Sequence, residues 1–442
     1  MAVAWLALRR SPHELLPALA REPGAVLLEI SDATAPATVL GCQPVAELRV
    51  EPDTVDPLGT IAAFVEATPA GDRETPFPFA GGVVTCLAYE LGAHCVPGLA
   101  PRFAAGPLAV LRRYDPLLVF DRRRGRWALA SASGTPVPPA WLERVAGERV
   151  VPARGALATA DLRATLDRDA YRAAVTRIHA YLHAGDAYQV NFTQPFTAPL
   201  AGPASELFVR LAERDAAPHA AYLDLGDAAI VASSPELFLR RRGDRVETHP
   251  IKGTRPRGAD PTRDAALAAE LAADAKERAE HLMIVDLERN DLGRVAAVGS
   301  VAVEPYARVV SHPTVHHLAS TVRARLRPDV GWRDLLSATF PGGSVTGAPK
   351  RRAMEIIAEL EPWPRGVYTG ALGLLDPRGH CELGLPIRTG VVADGVLRWH
   401  AGGGIVVDSD ADRELDECWL KTAAVRAALA GDAASFERCS SG

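Results

Sequence analysis

Lys252 stands in the run Pro250-Ile-Lys-Gly-Thr-Arg-Pro-Arg257, between an isoleucine and a glycine. That setting suits a strand ending in a tight turn, and a lysine on a strand end can point into a cleft. Desolvation there disfavours the ammonium and frees the amine as a base or nucleophile. A lone lysine is ordinarily a solvated surface group, so the meaning of this one rests on its company. Two acidic helices supply candidates. Glu277 and Glu280 fall at i, i+3 on one helical face; Glu414 and Glu417 repeat that spacing, with Lys421 four residues further on. The later helix also carries an apolar stripe of Leu415, Cys418, Trp419, Val425 and Leu429, so its carboxylates could line a cleft. Paired carboxylates from two helices suit a hard, oxygen-seeking cation such as Mg2+. The competing reading is a solvated face with i, i+4 pairs such as Glu417 with Lys421.

Glycine-rich turns are the next feature. Pro341-Gly-Gly-Ser-Val-Thr-Gly-Ala-Pro-Lys350 leads into a helix that Thr346 could cap, and bare amides there would favour an anion. It is not a phosphate-binding Walker loop, because Ala348 stands where that loop needs lysine. Gly402-Gly-Gly404, ahead of Ile405-Val-Val407, offers further bare amides for a carboxylate. No G-x-G-x-x-G opens a strand–helix unit, so nicotinamide or flavin chemistry has no support. His179 and His183 share a helical face, but Ala180 breaks the zinc pattern H-E-x-x-H, and both read as surface residues. His316-His317 before Leu318 could aim one imidazole at a cleft; local sequence leaves that open.

The elements that must position these groups are those of an α+β protein. Residues 1 to 150 carry short apolar runs broken by Pro and Gly, such as Ala25 to Ile30, Leu117 to Phe120 and Trp127 to Leu129, which read as strands and hairpins. Pro136 to Pro139, with Pro152, reads as a linker, ahead of a second region, 155–430, that holds the candidate residues above. Helices are expected over Asp169 to His183 (stripe Tyr171, Val175, Ile178, Leu182), over Thr262 to Leu287 as one helix or a pair, over Ala348 to Leu360 and over Glu414 to Leu429. Strands are expected at Tyr188 to Phe192 and Ala229 to Ala232.

The 442 residues carry a net charge of −5 and no basic stripe, so nucleic acid is not an expected partner. Arg122 to Arg124 and Arg240 to Arg242 both read as solvated hairpin tips. Six cysteines (42, 86, 95, 381, 418 and 439) form no C-x-x-C pair. The apolar N-terminus, Met1 to Leu8, is too short and wrongly flanked for a secretory signal, and no apolar run approaches the ~20 residues of a membrane span. A cytoplasmic protein is expected.

Together these runs resemble the chorismate-utilising enzymes, the family of anthranilate, aminodeoxychorismate, isochorismate and salicylate synthases. The likeness is dense from about residue 168 to 429. It runs through Ala184-Gly-Asp-Ala-Tyr-Gln-Val-Asn191, Ser233-Ser-Pro-Glu-Leu237, Pro250 to Arg257, Ala279 to Asp286 and Arg289 to Gly293. It continues through Pro341 to Lys350, Tyr368-Thr-Gly370, Ile387-Arg-Thr389 and Gly402 to Lys421. Gly81-Gly82 and Tyr89 to Gly92 extend it more loosely. The resemblance implies large antiparallel sheets packed together with helices outside, and an N-terminal region, 1–150, packed on the catalytic part. It implies Mg2+ held by Glu280 and Glu417 with Glu414 close by, and Glu277 acting through water. Glu236 would be the general acid, Lys252 a nucleophile at C2 of chorismate, and His317 a neighbour of the departing hydroxyl. Thr346, Tyr368, Arg388, Gly403, Gly404 and Lys421 would hold the substrate, and Asp286, Arg289, Asn290 and Asp291 would be structural.

Within the family, isochorismate-forming members resemble one another in a water-activating lysine where this chain has Gln189. Anthranilate-forming members typically show alanine at Lys252, Ala-Gly-Ala-Gly at Ala401 to Gly404, and Pro-Ala-Gly at Pro341 to Gly343. The resemblance therefore implies the aminodeoxychorismate-forming branch, with ammonia from a separate glutamine amidotransferase subunit, since no Gly-x-Cys-x-Gly nucleophile turn is present. The anthranilate-forming branch and a non-catalytic chorismate-binding subunit are the alternatives. The N-terminal tryptophan motif Leu-Leu-Glu-Ser is altered here: Leu27-Leu28-Glu29 is followed by Ile30 before Ser31.

Overall fold

The computed structural model describes residues 2–69, 76–77, 79, 82–102, 104–134, 138–148, 155–158, 160–312 and 315–431. Met1, Gly81, Pro136, Pro152 and Cys439, on which some of the expectations above rest, lie outside the described residues.

Side chains alternate between the two faces of a strand, and this alternation sorts the apolar residues into layers. In Val26–Ile30, Val26, Leu28 and Ile30 face one way and Leu27 the other. In His219–Asp224, Ala221 and Leu223 oppose Ala220 and Tyr222. The first set meets Val84, Cys86, Val110, Leu372 and Leu374 of a second sheet and forms a dry interior between the two. The opposite set, with Val190, Phe192 and Phe196, is covered by helices that include Pro12–Leu19, Arg168–His183 and Ala204–Arg214. On the far side of the second sheet, Val83, Leu111, Val246, Leu375 and Leu383 lie under Ala275–Gly293 and Trp332–Thr339. The order is helix, sheet, sheet, helix, the α+β architecture expected.

The larger sheet runs Ala2–Leu6, Arg126–Ser131, Leu117–Asp121, Ala37–Gly41, Val26–Ile30, His219–Asp224, Ala229–Ser234, Thr389–Ala393, Val396–Ile405, Gln189–Pro199, Gly347–Ala348. The second runs Ala302–Val303, Val322–Arg325, Arg245–His249, Leu237–Arg242, His380–Gly384, Ala371–Asp376, Gly82–Leu87, Ala109–Tyr114, Ala46–Val50. A third, of three strands, is Ile251–Pro256, Val315–Ala319, Arg308–Ser311. Strands from before residue 150 and after residue 155 lie side by side in both large sheets.

Several boundaries differ from expectation for local reasons. Asp274 closes Pro261–Ala273 and caps Ala275–Gly293 by accepting from the Lys276 and Glu277 amides, so the Ala-rich stretch is a pair of helices. Thr422 likewise divides Ala411–Lys421 from Ala423–Ala430. The helix after the Gly-rich turn is Lys350–Leu360 and not Ala348 to Leu360, because a residue before proline avoids helical angles and Ala348 precedes Pro349. Thr346 therefore does not cap it. Arg240 to Arg242 are not a solvated tip: they end the strand Leu237–Arg242, where Arg240 and Arg242 bind Glu382 at 2.7 and 2.9 Å. Arg122 to Arg124 do lie at a hairpin tip, with Gly125 at φ +61°. Five of the cysteines are buried and free.

Candidate active site

The strand Ile251–Pro256 does not end after Lys252. It continues past a bulge at Gly253 that pairs Lys252 with Leu318 and Thr254 with His317. Gly253 sits at φ +66°, and a Cβ there would lie 2.8 Å from Leu271 and 3.1 Å from the Glu277 carboxylate. Among the described residues the Lys252 amine has neither a hydrogen-bond nor an ion-pair partner. Its charge nonetheless acts on Glu236, Glu280 and Glu417, which come from three different elements.

Glu236 lies where the chain leaves Ala229–Ser234 of the larger sheet and enters Leu237–Arg242 of the second. Arg388 lies at a second crossing, between His380–Gly384 and Thr389–Ala393. The two crossings are tied by the Ser233 amide donating to the Arg388 carbonyl and the Leu385 amide to the Glu236 carbonyl. Glu236 is 4% exposed and accepts from the Ser344 hydroxyl at 2.7 Å. Burial pushes its carboxyl up to about 7, against the opposing pull of Ser344, the Lys252 charge and the Ile251 backbone. An acid poised there can deliver a proton at neutral pH.

His317 is buried in the small sheet. Its Nδ1 is 3.0 Å from the Thr254 hydroxyl and 3.2 Å from the Gly253 carbonyl. A carbonyl only accepts, so Nδ1 carries the proton and Nε2 keeps its lone pair. Desolvation drives the ring down to about 4, so it is neutral at pH 7; the Gly253 carbonyl opposes this, and the Arg388, His312 and His316 charges add to it. His316, by contrast, is committed to Asp264 and Ser311.

The candidate metal carboxylates come from two helices, Glu280 from Ala275–Gly293 and Glu414 and Glu417 from Ala411–Lys421. Glu280 and Glu414 are both pushed upward, chiefly by burial and further by carboxylate neighbours. Glu417 is pulled down, first by Lys421 at 2.7 Å. Gly403 lies beneath them: a Cβ there would come within 3.2 Å of Glu414 and 3.6 Å of the Lys421 amine. The donors are carboxylate oxygens whose excess negative charge is met by Lys276 near Glu280 and Lys421 beside Glu417. That donor chemistry fits Mg2+, although as they stand no three His, Cys, Asp or Glu side chains among the described residues are gathered closely enough to hold an ion. Glu277 instead faces Arg255 at 3.4 Å.

Arg388 and Thr369 are non-glycine residues at φ +49° and +62°, and the Thr369 amide donates to the Pro386 carbonyl, joining their turns. Tyr368 is buried and stacks on His400 with ring centres 5.0 Å apart. Arg388 donates to Asp215 at 3.0 Å. Lys421 also donates to the Gly402 carbonyl at 2.7 Å. Gly404 makes room for the Gln189 amide, which a Cβ would meet at 2.8 Å. Gln189 is fully buried and both its amide atoms lack a partner. Thr346 is fully buried, its hydroxyl donating to the Gly342 and Gly343 carbonyls, so that side chain braces the turn.

Ser344, Asp215 and His312 were not foreseen as site residues, and nothing in local spacing marks them. Nor was the buried pair Glu361–Arg365, at 2.7 Å, which accepts from the Thr193 amide and donates to the Asn191 carbonyl. It serves the stretch of Gln189–Pro199 between two short partner strands, Gly347–Ala348 and Arg163–Ala164.

The chorismate binding enzyme family matches residues 26–427. Aminodeoxychorismate synthase component 1 of Salmonella typhimurium is 40% identical over 90% of this chain and 91% of its own. Anthranilate synthase component 1 of Thermus thermophilus is 41% identical over 86% of this chain and 84% of its own. The crystal structure of anthranilate synthase component I from Streptococcus pneumoniae superposes with a TM-score of 0.76 at 30% identity, covering 88% of this chain and 92% of that one.

Proposed function

The chain belongs to the chorismate-binding enzymes, and from that premise we propose that it converts chorismate and ammonia to 4-amino-4-deoxychorismate, as component 1 of an aminodeoxychorismate synthase. Overall identity does not separate this reading from anthranilate synthesis, since relatives of both names match at about 40%. The observation that carries it is Lys252: an uncommitted amine whose charge reaches the buried acid Glu236 and the carboxylates Glu280 and Glu417.

In this reading the Lys252 amine, once it has given up its proton, forms a bond to C2 while both conjugated ring double bonds shift and the C4–O bond breaks. Glu236 gives its proton to the departing oxygen, which leaves as water. Ammonia then bonds to C4, both double bonds shift back and the C2–N bond breaks, returning the electron pair to Lys252. The surplus proton on the new amine goes to Glu236, which resets the acid. His317, neutral with Nε2 free, would orient the hydroxyl, and Arg388, Tyr368 and Lys421 would hold the enolpyruvyl carboxylate. Glu280, Glu414 and Glu417 would hold Mg2+, which supplies positive charge for the ring carboxylate. Gln189 supports ammonia over water, because a carboxamide is no base. The ammonia source would be a separate glutamine amidotransferase subunit, and the setting would be the cytoplasm; no described helix is long and apolar enough to cross a membrane.

The test is Lys252→Ala beside the wild type, with chorismate, Mg2+ and ammonium salt, and products identified by mass. The wild type is expected to give an amino product that retains the enolpyruvyl group. The variant is expected to lose it or to release pyruvate with anthranilate. Full aminodeoxychorismate formation by the variant would remove the covalent step.

A further inference from the structure

We propose that Asp215 is a positioning residue for Arg388, bracing one end of the guanidinium and leaving the rest of the fork for an incoming carboxylate. This rests on the reading of Arg388 as a substrate-binding group.

The contact joins residues 173 apart in sequence, Arg388 Nη1 donating to Asp215 Oδ2 at 3.0 Å. Both side chains are largely but not fully enclosed, 27% and 20% exposed. Local structure gives no other reason for an acid at 215. Asp215 is the residue that ends the helix Ala204–Arg214. A helix C-terminus carries partial negative charge, so a carboxylate there is electrostatically unfavourable. Its backbone already serves the turn, with the Ala217 amide donating to its carbonyl, and any residue could supply that carbonyl. What an aspartate adds is the ion pair.

Arg388 in turn needs a brace. It holds a left-handed backbone at the crossing between sheets, a conformation that persists in a non-glycine residue only where the surroundings enforce it. Its backbone is fixed by the Ser233 amide, but the side chain beyond is long and rich in rotamers. A single contact at one Nη removes much of that freedom without using the planar edge that receives a carboxylate in bidentate fashion. His312 feels the charges of both Asp215 and Arg388, and His317 feels Arg388. The brace therefore sits beside the imidazole already assigned to the departing hydroxyl.

The experiment compares wild type, Asp215→Ala and Asp215→Asn in steady-state turnover of chorismate with Mg2+ and ammonium salt, and in thermal melts. Asp215→Ala is expected to raise KM for chorismate about tenfold while kcat falls less than about threefold, the signature of lost binding without lost chemistry. Asp215→Asn keeps an acceptor and is expected to restore most of KM. An unchanged KM in Asp215→Ala overturns the proposal. So does a loss of melting temperature and kcat that Asp215→Asn shares. Turnover by the wild type tests the functional reading by itself. Chorismate titration followed by intrinsic fluorescence, without ammonia, reads the Asp215 effect whatever product the enzyme forms.

Discussion

Replacing Glu236 with glutamine separates what this residue does for the reaction from what it costs the fold. The carboxyl is 4% exposed and titrates near 7, against an ordinary value of 4.5, with burial as the main cause. A group whose folded value is raised is bound by its proton more tightly in the native state than in the unfolded chain. Its contribution to stability is fully present below pH 4.5 and is lost as pH rises through about 7. At about 1.4 kcal/mol per pH unit, that gap is worth roughly 3 kcal/mol. Glutamine cannot ionise, and its carbonyl can still accept from Ser344. Relative to wild type, Glu236→Gln should therefore gain roughly 3 kcal/mol in stability between pH 4 and pH 9, on top of a constant offset for the new amide. Activity should fall by about 10²- to 10⁴-fold, as expected for loss of a general acid. Urea unfolding at several pH values, with kcat measured at saturating ammonium, checks both. The stability arm is free of the ionisation of ammonia itself, which would distort a pH–rate profile. A stability difference between the two proteins that does not change with pH would refute the assignment of Glu236 as a buried acid poised near neutrality.

Two further outcomes are expected. Glu361→Gln leaves the fully buried Arg365 without its counter-charge and should cost about 3–5 kcal/mol; an unaltered urea midpoint would show that the pair is not what closes the edge of Gln189–Pro199. Chelation should abolish turnover, and Glu417→Gln should raise the Mg2+ concentration for half-maximal activity about tenfold or more; full activity in a chelating buffer would remove the metal assignment.

The layers of the fold were legible because they depend on near-neighbour periodicity. The stripe Tyr171, Val175, Ile178 and Leu182 is buried as its 3.6-residue spacing requires, and the hairpin at Arg122 to Gly125 follows from a turn between two apolar runs. What was hidden depends on residues far apart. Arg240 to Arg242 look solvated until Glu382, about 140 residues away, is laid beside them. Lys252 looks like the end of a strand because glycine usually ends one. Here Gly253 bends the strand past Leu271 and Glu277 without ending it, and neither neighbour can be read from the run itself. Ser344 meets Glu236 across 108 positions. The family motifs point to Glu236, Lys252 and His317 without saying which elements carry them. Two crossings between the large sheets, tied to each other by backbone hydrogen bonds, place Glu236 and Arg388, and the small sheet carries Lys252 and His317 on paired strands.

The charges around that junction also show why the lysines matter in pairs. Lys252 faces three carboxyl groups and binds none of them. Lys421 and Lys276 instead lie beside Glu417 and Glu280, at 2.7 and 3.8 Å. Lys421 is the only one of the three that also reaches the glycine strand, through the Gly402 carbonyl. Two unit charges about 4 Å apart at an effective dielectric near 20 interact by roughly 4 kcal/mol before desolvation is counted, and a doubly charged cation roughly doubles the attraction. In the proposed reading, Glu417 would help to hold Mg2+ and Lys421, already on the Gly402 carbonyl, would face the substrate carboxylate. The carboxylates and the anion site would then be coupled through one ammonium group, each filling more readily once the other is filled. Lys252 takes part in neither of these ion pairs.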